Sequence, residues 1–324
     1  MLDDFAHIAK RLEIAVTGGQ SPVGDDCAEN AGMGIQLNWD EVHSAPLASA
    51  TVMLLRDARD GVQVLMMRRH GDSQVLGGAH VFPGGKLDPA DRLADASILE
   101  QSPQQLQQAL GQFDLDAPSA AALYVAALRE TFEECGLLLC QGVSAPVVQQ
   151  VREQLDAGES FFATVQRLGL QMQSSQVVPW SRWITPRVPT VSNKRFDTRF
   201  FAALAPTEQE ARHDEHEATE LVWLSPRQAL EHYWQRQIEL APPQIMTLAH
   251  LARFERVTDL LERARSTPPA LIEPQPFELE GERAVCYPGD AHHNVAEPAW
   301  PGPTRLIYRN QRFEPEGGLA ALLA

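Results

Sequence analysis

Cysteine is scarce in this chain, with four in 324 residues, and none of Cys27, Cys135, Cys140 and Cys286 stands at a Cys-x-x-Cys spacing. That excludes a disulfide framework, and reduced cytosolic thiols are the expectation. Positive charge is also short: 27 Lys and Arg face 43 Asp and Glu, a net charge of −16. Such a surface repels nucleic acid and anionic lipid, so neither is an expected partner. An anionic small molecule would need a local basic patch or a metal. No run of 18 apolar residues exists, so no membrane span is expected. Met1-Leu2-Asp3-Asp4 opens no basic-then-apolar leader, and Leu322-Leu323-Ala324 is not a Ser-Lys-Leu address. A cytoplasmic location is therefore expected.

What is present suits a soluble globular protein: 44% apolar and 22% charged residues, enough for a sizeable core. Residues 1–45 read as an N-terminal extension, with a short helix at 3–16. Ala50–Leu55 and Val62–Met67 are apolar runs around Asp57-Ala58-Arg59-Asp60-Gly61, which predicts a β-hairpin. Gly77-Gly78 and Pro83-Gly84-Gly85 punctuate a loop. Residues 92–118 are polar and Gln-rich, with apolar residues at near-helical spacing, and read as an inserted helical lobe. A strong helix follows over 119–135, with Ser119 as its expected cap and Gly136 as its stop. A helix pair is expected over 145–170. Strands are expected at Trp180–Thr185, Arg199–Leu204 and Thr219–Leu224, then helices at 226–240 and 243–264. The proline-rich remainder, 266–324, reads as a C-terminal extension.

The helix over 119–135 carries the chemistry. At about 100° per residue, Glu130, Glu133 and Glu134 share one face, opposite Val125, Leu128, Phe132 and Cys135. Three like charges on one outward face are destabilising unless a cation neutralises them, and Mg²⁺ or Mn²⁺ prefers carboxylate oxygens. A plain solvated acidic face would show the same pattern. Phe82-Pro83-Gly84-Gly85 tips the balance, because a Gly-Gly turn lets backbone approach a ligand or offer a carbonyl to a metal. Along the Arg195–Phe201 strand, Phe196, Thr198 and Phe200 fall on one face and Arg195, Asp197 and Arg199 on the other. Trp180, Trp183, Trp223 and Trp234 are expected in the core or in a pocket wall. His213 and His216 lack the further ligands a zinc site needs. His292-His293 receives no role.

These residues resemble the Nudix hydrolases, whose box reads Gly-x5-Glu-x7-Arg-Glu-U-x-Glu-Glu-x-Gly-U, with U bulky and apolar. Gly85 matches the first Gly, and Asp91 stands where the box has Glu. Arg129 to Leu137 match the second half, with Thr131 at a usually apolar place. Between Asp91 and Arg129 lie 37 residues, 30 more than the box has. An insertion at this point, with Gly78-Ala79-His80-Val81-Phe82 before it, is similar to the coenzyme A and acyl-coenzyme A diphosphatase branch. Trp183-Ile184-Thr185-Pro186, Arg195–Phe201, Trp223-Leu224-Ser225-Pro226 and Tyr287-Pro288-Gly289-Asp290 extend the likeness. Arg69 lies 13 residues before Phe82, as in that branch, but Gln74 and Leu76 stand where it carries basic residues.

The resemblance implies a Nudix α/β/α sandwich over 46–265, with a mixed sheet, an inserted lobe and extra C-terminal helices. It implies a Mg²⁺- or Mn²⁺-dependent hydrolase. The substrate would be coenzyme A or acyl-coenzyme A, cleaved to adenosine 3′,5′-bisphosphate and a 4′-phosphopantetheine. ADP-ribose, a dinucleotide or another nucleoside diphosphate derivative is the alternative, and a non-catalytic sensor is another. Glu130, Glu134 and Gly85 would hold the metal, with Glu133 as ligand or base. Arg129 would orient the carboxylates. Glu217 or Glu220 could be an additional ligand or base. Arg69, Lys194, Arg195 and Arg199 would bind substrate phosphates. A homodimer is left open.

Overall fold

The computed structural model describes residues 37–38, 40–71, 73, 76–189, 194–212 and 218–324. The expected helix at 3–16 lies outside the described residues, as do Gln74, His213, His216 and Glu217.

Alternation builds the central strand. In β1 (Leu47–Ala58), Ala50, Val52 and Leu54 point to one core, while Met53 and Leu55 point to the other. β1 turns through Arg59-Asp60 into β2 (Gly61–Arg69), and Gly61 takes the positive φ of 109° this tight hairpin needs. Two short strands follow, β3 (His80–Val81) and β4 (Gly84–Lys86). The insertion then contributes α1 (Pro89–Leu93), a 3-10 turn at Ala96–Ile98 and α2 (Pro103–Leu110). After α3 (Ala117–Cys135) come α4 (Ala145–Asp156) and α5 (Phe161–Arg167). Next are β5 (Val178–Ile184), β6 (Phe196–Leu204) and β7 (Ala218–Leu224). Then come α6 (Pro226–Trp234), α7 (Pro242–Leu251) and α8 (Val257–Ser266).

The main sheet has eight strands in the order β3-β2-β1-β6-β5-β8, where β8 is Ala270–Ile272. β4 adds to β1 and β7 to β2. Pairs β1·β6 and β5·β8 run parallel and the others antiparallel, so the sheet is mixed. α2, α3, α4 and α5 cover one face, where Leu106, Leu123, Tyr124, Val151 and Phe161 join Val52 and Phe201. α6, α7 and α8 cover the other, where Leu230, Ile245 and Leu260 join Met53, Trp183 and Phe200. This is the α/β/α sandwich expected. The helical lobe is no loose appendage, because Ile98, Leu99, Leu106 and Leu110 are buried against α3.

The proline-rich end is built into the fold. Besides β8 it forms β9 (Gln275–Leu279), β10 (Glu282–Cys286), β11 (Arg305–Arg309) and β12 (Arg312–Glu314). These make a second sheet in the order β12-β11-β10-β9, followed by α9 (Gly318–Leu323). Tyr287, Leu306, Phe313 and Leu322 pack into the same core as Trp183.

Two helix expectations need correction. The helix expected over 243–264 is broken between α7 and α8, because the Asp57 carboxylate at the hairpin end accepts the Val257 N–H at 2.9 Å. That long-range cap starts a new helix. The helix expected over 226–240 stops at Trp234, and Arg236 follows with φ 61°. Cys135, Cys140 and Cys286 are free and buried. Among the described residues, no helix is long and apolar enough to cross a membrane.

Candidate active site

α3 begins two residues earlier than expected. Its cap is Asp116, whose Oδ1 accepts the Ser119 N–H at 2.7 Å, so Ser119 is inside the helix and not its cap. It ends at Gly136 with φ 66°, whose N–H returns to the Phe132 carbonyl at 2.7 Å. Of the acidic face only Glu133 looks out into solvent as expected, whereas Glu130 and Glu134 are buried. Glu134 is only 3% exposed, because the β4 ribbon lies across it. Gly84 N–H donates to Glu134 Oε2 at 2.6 Å. At Gly85 the approach is closer still. A β-carbon there would stand 2.6 Å from Glu130 Cδ and 2.8 Å from its Oε2. Glycine is required at this position by the carboxylate it faces.

Arg129 organises the cluster. It is 7% exposed and grips Asp91 with two hydrogen bonds, Nε to Oδ1 at 2.9 Å and Nη2 to Oδ2 at 3.0 Å. Its Nη1 also donates to Glu130 Oε1 at 2.9 Å and to Glu133 Oε2 at 2.7 Å. Asp91 is 2% exposed and accepts the Asp88 N–H at 2.7 Å. The insertion therefore bulges away while its two flanks are pinned together by one buried ion pair. Burial pushes the Arg129 pKa down, but the Asp91 hydrogen bonds and the charges of Glu130, Asp91 and Glu133 more than offset it, so it ends above the ordinary value. The Glu133 pKa is raised above its ordinary value. Burial is the main cause, opposed by Arg129 and reinforced by Asp91 and Asp88.

A groove of about 1210 Å³ opens over this cluster. Arg69, Gly84, Gly85, Arg129, Glu130, Glu133 and Glu134 line it, and α4 and α5 add Arg152, Leu155, Phe161 and Phe162. Among the described residues one guanidinium serves Asp91, Glu130 and Glu133, with Glu134 beside them, a carboxylate-rich floor that suits a hard cation. Among the described residues, no three acidic, histidine or cysteine side chains already converge as a metal cage. The donor set and the glycine cradle over Glu130 nevertheless fit a divalent cation.

Of the four expected phosphate ligands, only Arg69 reaches this groove. Its Nε is buried without a hydrogen-bond partner among the described residues. Lys194 lines a separate cavity of about 180 Å³ on the other face of the sheet, with Trp183, Phe200 and Gln244. Arg195 ties down the entry to β1 through the Thr185 carbonyl at 3.0 Å and the Ser44 carbonyl at 3.2 Å. Arg199 is buried and donates to Gln112 Oε1 at 2.7 Å, with Asp197 at 2.9 Å. It struts the insertion against β6. The alternation along β6 is as expected, with Phe196, Thr198 and Phe200 facing the smaller cavity. Glu220 is exposed on β7 and outside the groove. Trp180 and Trp183 are buried, and Trp223 and Trp234 lie beneath Arg56 and Arg312. Sequence reasoning missed Arg152 and Arg212, which no motif spacing announces.

A family model described as the NUDT19 Nudix domain matches residues 39–251. The chain belongs to this Nudix family. It is 29% identical over 234 residues to the acyl-coenzyme A diphosphatase NUDT19 of Xenopus laevis, covering 61% of this chain and 62% of that protein. The human protein of the same name is 27% identical over 241 residues, covering 62% and 63%. The chain thus spans just over three fifths of the curated relatives it matches. A Nudix hydrolase from Alicyclobacillus acidocaldarius shares the fold with a TM-score of 0.57 and 27% identity, over 70% of this chain and 99% of that one.

Proposed function

We propose that this Nudix protein hydrolyses the diphosphate bond of coenzyme A or acyl-coenzyme A, giving adenosine 3′,5′-bisphosphate and a 4′-phosphopantetheine. The observation that carries the chemistry is the buried Asp91–Arg129 pair. It rebuilds the interrupted box and sets Glu130, Glu133 and Glu134 against Gly84-Gly85. The likeness to proteins named acyl-coenzyme A diphosphatases supports the choice of substrate.

Glu130, Glu134 and the Gly85 carbonyl would hold Mg²⁺ or Mn²⁺. When bound, such a cation neutralises diphosphate charge and makes water a better nucleophile. The chain's own part is positioning. Gly84 N–H fixes the Glu134 carboxylate, and Arg129 aligns Glu130 and Glu133. Arg69 takes non-bridging phosphate oxygens. Glu133, its pKa already raised, accepts the proton of the attacking water. The water oxygen bonds to one phosphorus, that phosphorus loses the bridging oxygen, and the bridging oxygen leaves on the other phosphate.

The test is hydrolysis with Mg²⁺ or Mn²⁺ of coenzyme A, its thioesters, ADP-ribose and dinucleotides, with the phosphorylated products identified. Turnover of coenzyme A to the two named products, lost in Glu134→Gln, is the expected result. Turnover of ADP-ribose alone, or an active Glu134→Gln protein, refutes the reading.

A further inference from the structure

Coenzyme A carries a 3′-phosphate besides its diphosphate, yet this chain is strongly acidic and has only three lysines, Lys10, Lys86 and Lys194. Recognition of a second phosphate must therefore come chiefly from arginines. Besides Arg69, assigned above to the diphosphate, the groove holds two that no box motif supplies, Arg152 from α4 and Arg212 from the segment before β7. Arg152 lies across the C-terminal end of α3. A β-carbon on Gly136 would be 3.4 Å from Arg152 Cζ and 3.4 Å from the Arg212 carbonyl oxygen. Arg212 is anchored there, its N–H donating to the Cys135 carbonyl at 2.9 Å. Gly136 follows Glu133 by three residues and Glu134 by two, so the Arg152 guanidinium stands within about one 5.4 Å turn of the end of the carboxylate cluster.

We propose that Arg152, with Arg212 beside it, binds a second phosphate of the substrate, one sugar away from the scissile diphosphate: the 3′-phosphate of the coenzyme A nucleotide. The assignment rests on the diphosphatase reading above. The 3′ and 5′ phosphates of a nucleotide bracket a single ribose. A diphosphate held over Glu130, Glu133 and Glu134 thus puts the 3′-phosphate a short step along the same groove. No hydrogen bond or ion pair engages Arg152 among the described residues. A half-buried guanidinium without a carboxylate is a fork awaiting an oxyanion. The acidic neighbours do not claim it: Glu159 is held by Arg167 at 2.9 Å, Asp156 is exposed, and Glu210 pairs with Arg212 at 3.5 Å. A cation at a helix C-terminus stabilises the helix in its own right, so the test must read substrate selectivity and not stability alone.

The experiment compares KM and kcat for coenzyme A and 3′-dephospho-coenzyme A, with Mg²⁺, in the full chain and in Arg152→Gln, Arg152→Lys, Arg212→Gln and Lys194→Gln. Arg152→Gln is expected to raise KM for coenzyme A about tenfold more than KM for the dephospho form, the scale of one lost charged hydrogen bond. Arg152→Lys should recover part of that selectivity, and Arg212→Gln should show a smaller loss of the same kind. In wild type, adenosine 3′,5′-bisphosphate should inhibit at about tenfold lower concentration than AMP, which tests the site even where a variant folds poorly. Equal losses on both substrates, or equal inhibition by both nucleotides, overturn the assignment. So does a selective loss in Lys194→Gln alone, which would put the second phosphate on the other face of the sheet. Wild type that cleaves neither substrate sinks the diphosphatase reading and this inference with it, whereas wild type that cleaves both with unaltered selectivity in Arg152→Gln sinks only the inference.

Discussion

Gly85→Ala separates the chemistry of this site from its stability. The new methyl carbon would stand 2.6 Å from Glu130 Cδ and 2.8 Å from Oε2, where ordinary contact is ~3.5 Å. The β4 ribbon is held by pairing to Ser49, Ala50 and Thr51, so the carboxylate is the part that moves, by about 1 Å. Gly85 does not have a positive φ, and Ala fits its backbone. Removing a glycine from the unfolded chain stabilises by ~0.4–1 kcal/mol, and an off-rotamer Glu130 costs about 0.5–1.5 kcal/mol. Folding stability should therefore change by less than ~1 kcal/mol. Activity should not survive as well, because a misplacement of ~1 Å at a reacting centre can lower the rate by about 100-fold. The assay is kcat against Mg²⁺ or Mn²⁺ concentration, alongside a thermal melt. Gly71→Ala serves as the control, since its methyl would meet nothing within 4 Å. A Gly85→Ala protein with wild-type kcat and metal dependence would falsify the placement of Glu130 at the reacting centre.

Arg129→Met leaves the buried Asp91 carboxylate facing only backbone, so a loss of ~3–5 kcal/mol in denaturant unfolding is expected. In a cycle with Asp91→Asn the two should be non-additive by ~0.5–3 kcal/mol, and strict additivity would contradict the pair. Arg199→Lys should lower the melting temperature through the lost contact to Gln112, with KM for every substrate within about twofold. A selective rise in KM would return Arg199 to the substrate site. His250 is packed among Trp180, Trp300 and Phe254, and burial, aided by Arg253 and Arg263, lowers its pKa to about 4. The unfolded chain takes up that proton first, so its contribution is complete above pH ~6.5 and is lost as pH falls through about 4. Across that window stability should fall by about 1.4 kcal/mol per pH unit from this group, and His250→Leu should flatten the slope of melting temperature against pH. An unchanged slope would count against a buried neutral imidazole.

Local chemistry was readable in the residues. The Ala50–Leu55 and Val62–Met67 runs specify a hairpin because alternation and an Asp-Gly turn act over a few residues. The i, i+3 and i, i+4 spacing of Glu130, Glu133 and Glu134 specifies a shared helical face for the same reason. Gly85, Asp91 and Arg129 could be matched to the box despite the insertion. Helix boundaries were less readable, whether set by a distant partner or by a neighbouring cap. Asp57 caps α8 across 200 residues of chain, and Asp116, two residues before Pro118, displaced Ser119 as the cap of α3.

The sequence by itself determined the kind of chemistry: hard oxygen donors beside a glycine turn, in a strongly acidic chain. Only the tertiary structure decided which cations meet that chemistry. Side chains such as Arg195 and Arg199 are close in sequence to one another but are turned by the pleat toward loops and struts. Arg152, on a helix with no motif, is folded across Gly136 at the end of the carboxylate helix. Residue type and spacing set what an element can offer, whereas long-range packing sets what each offered group meets.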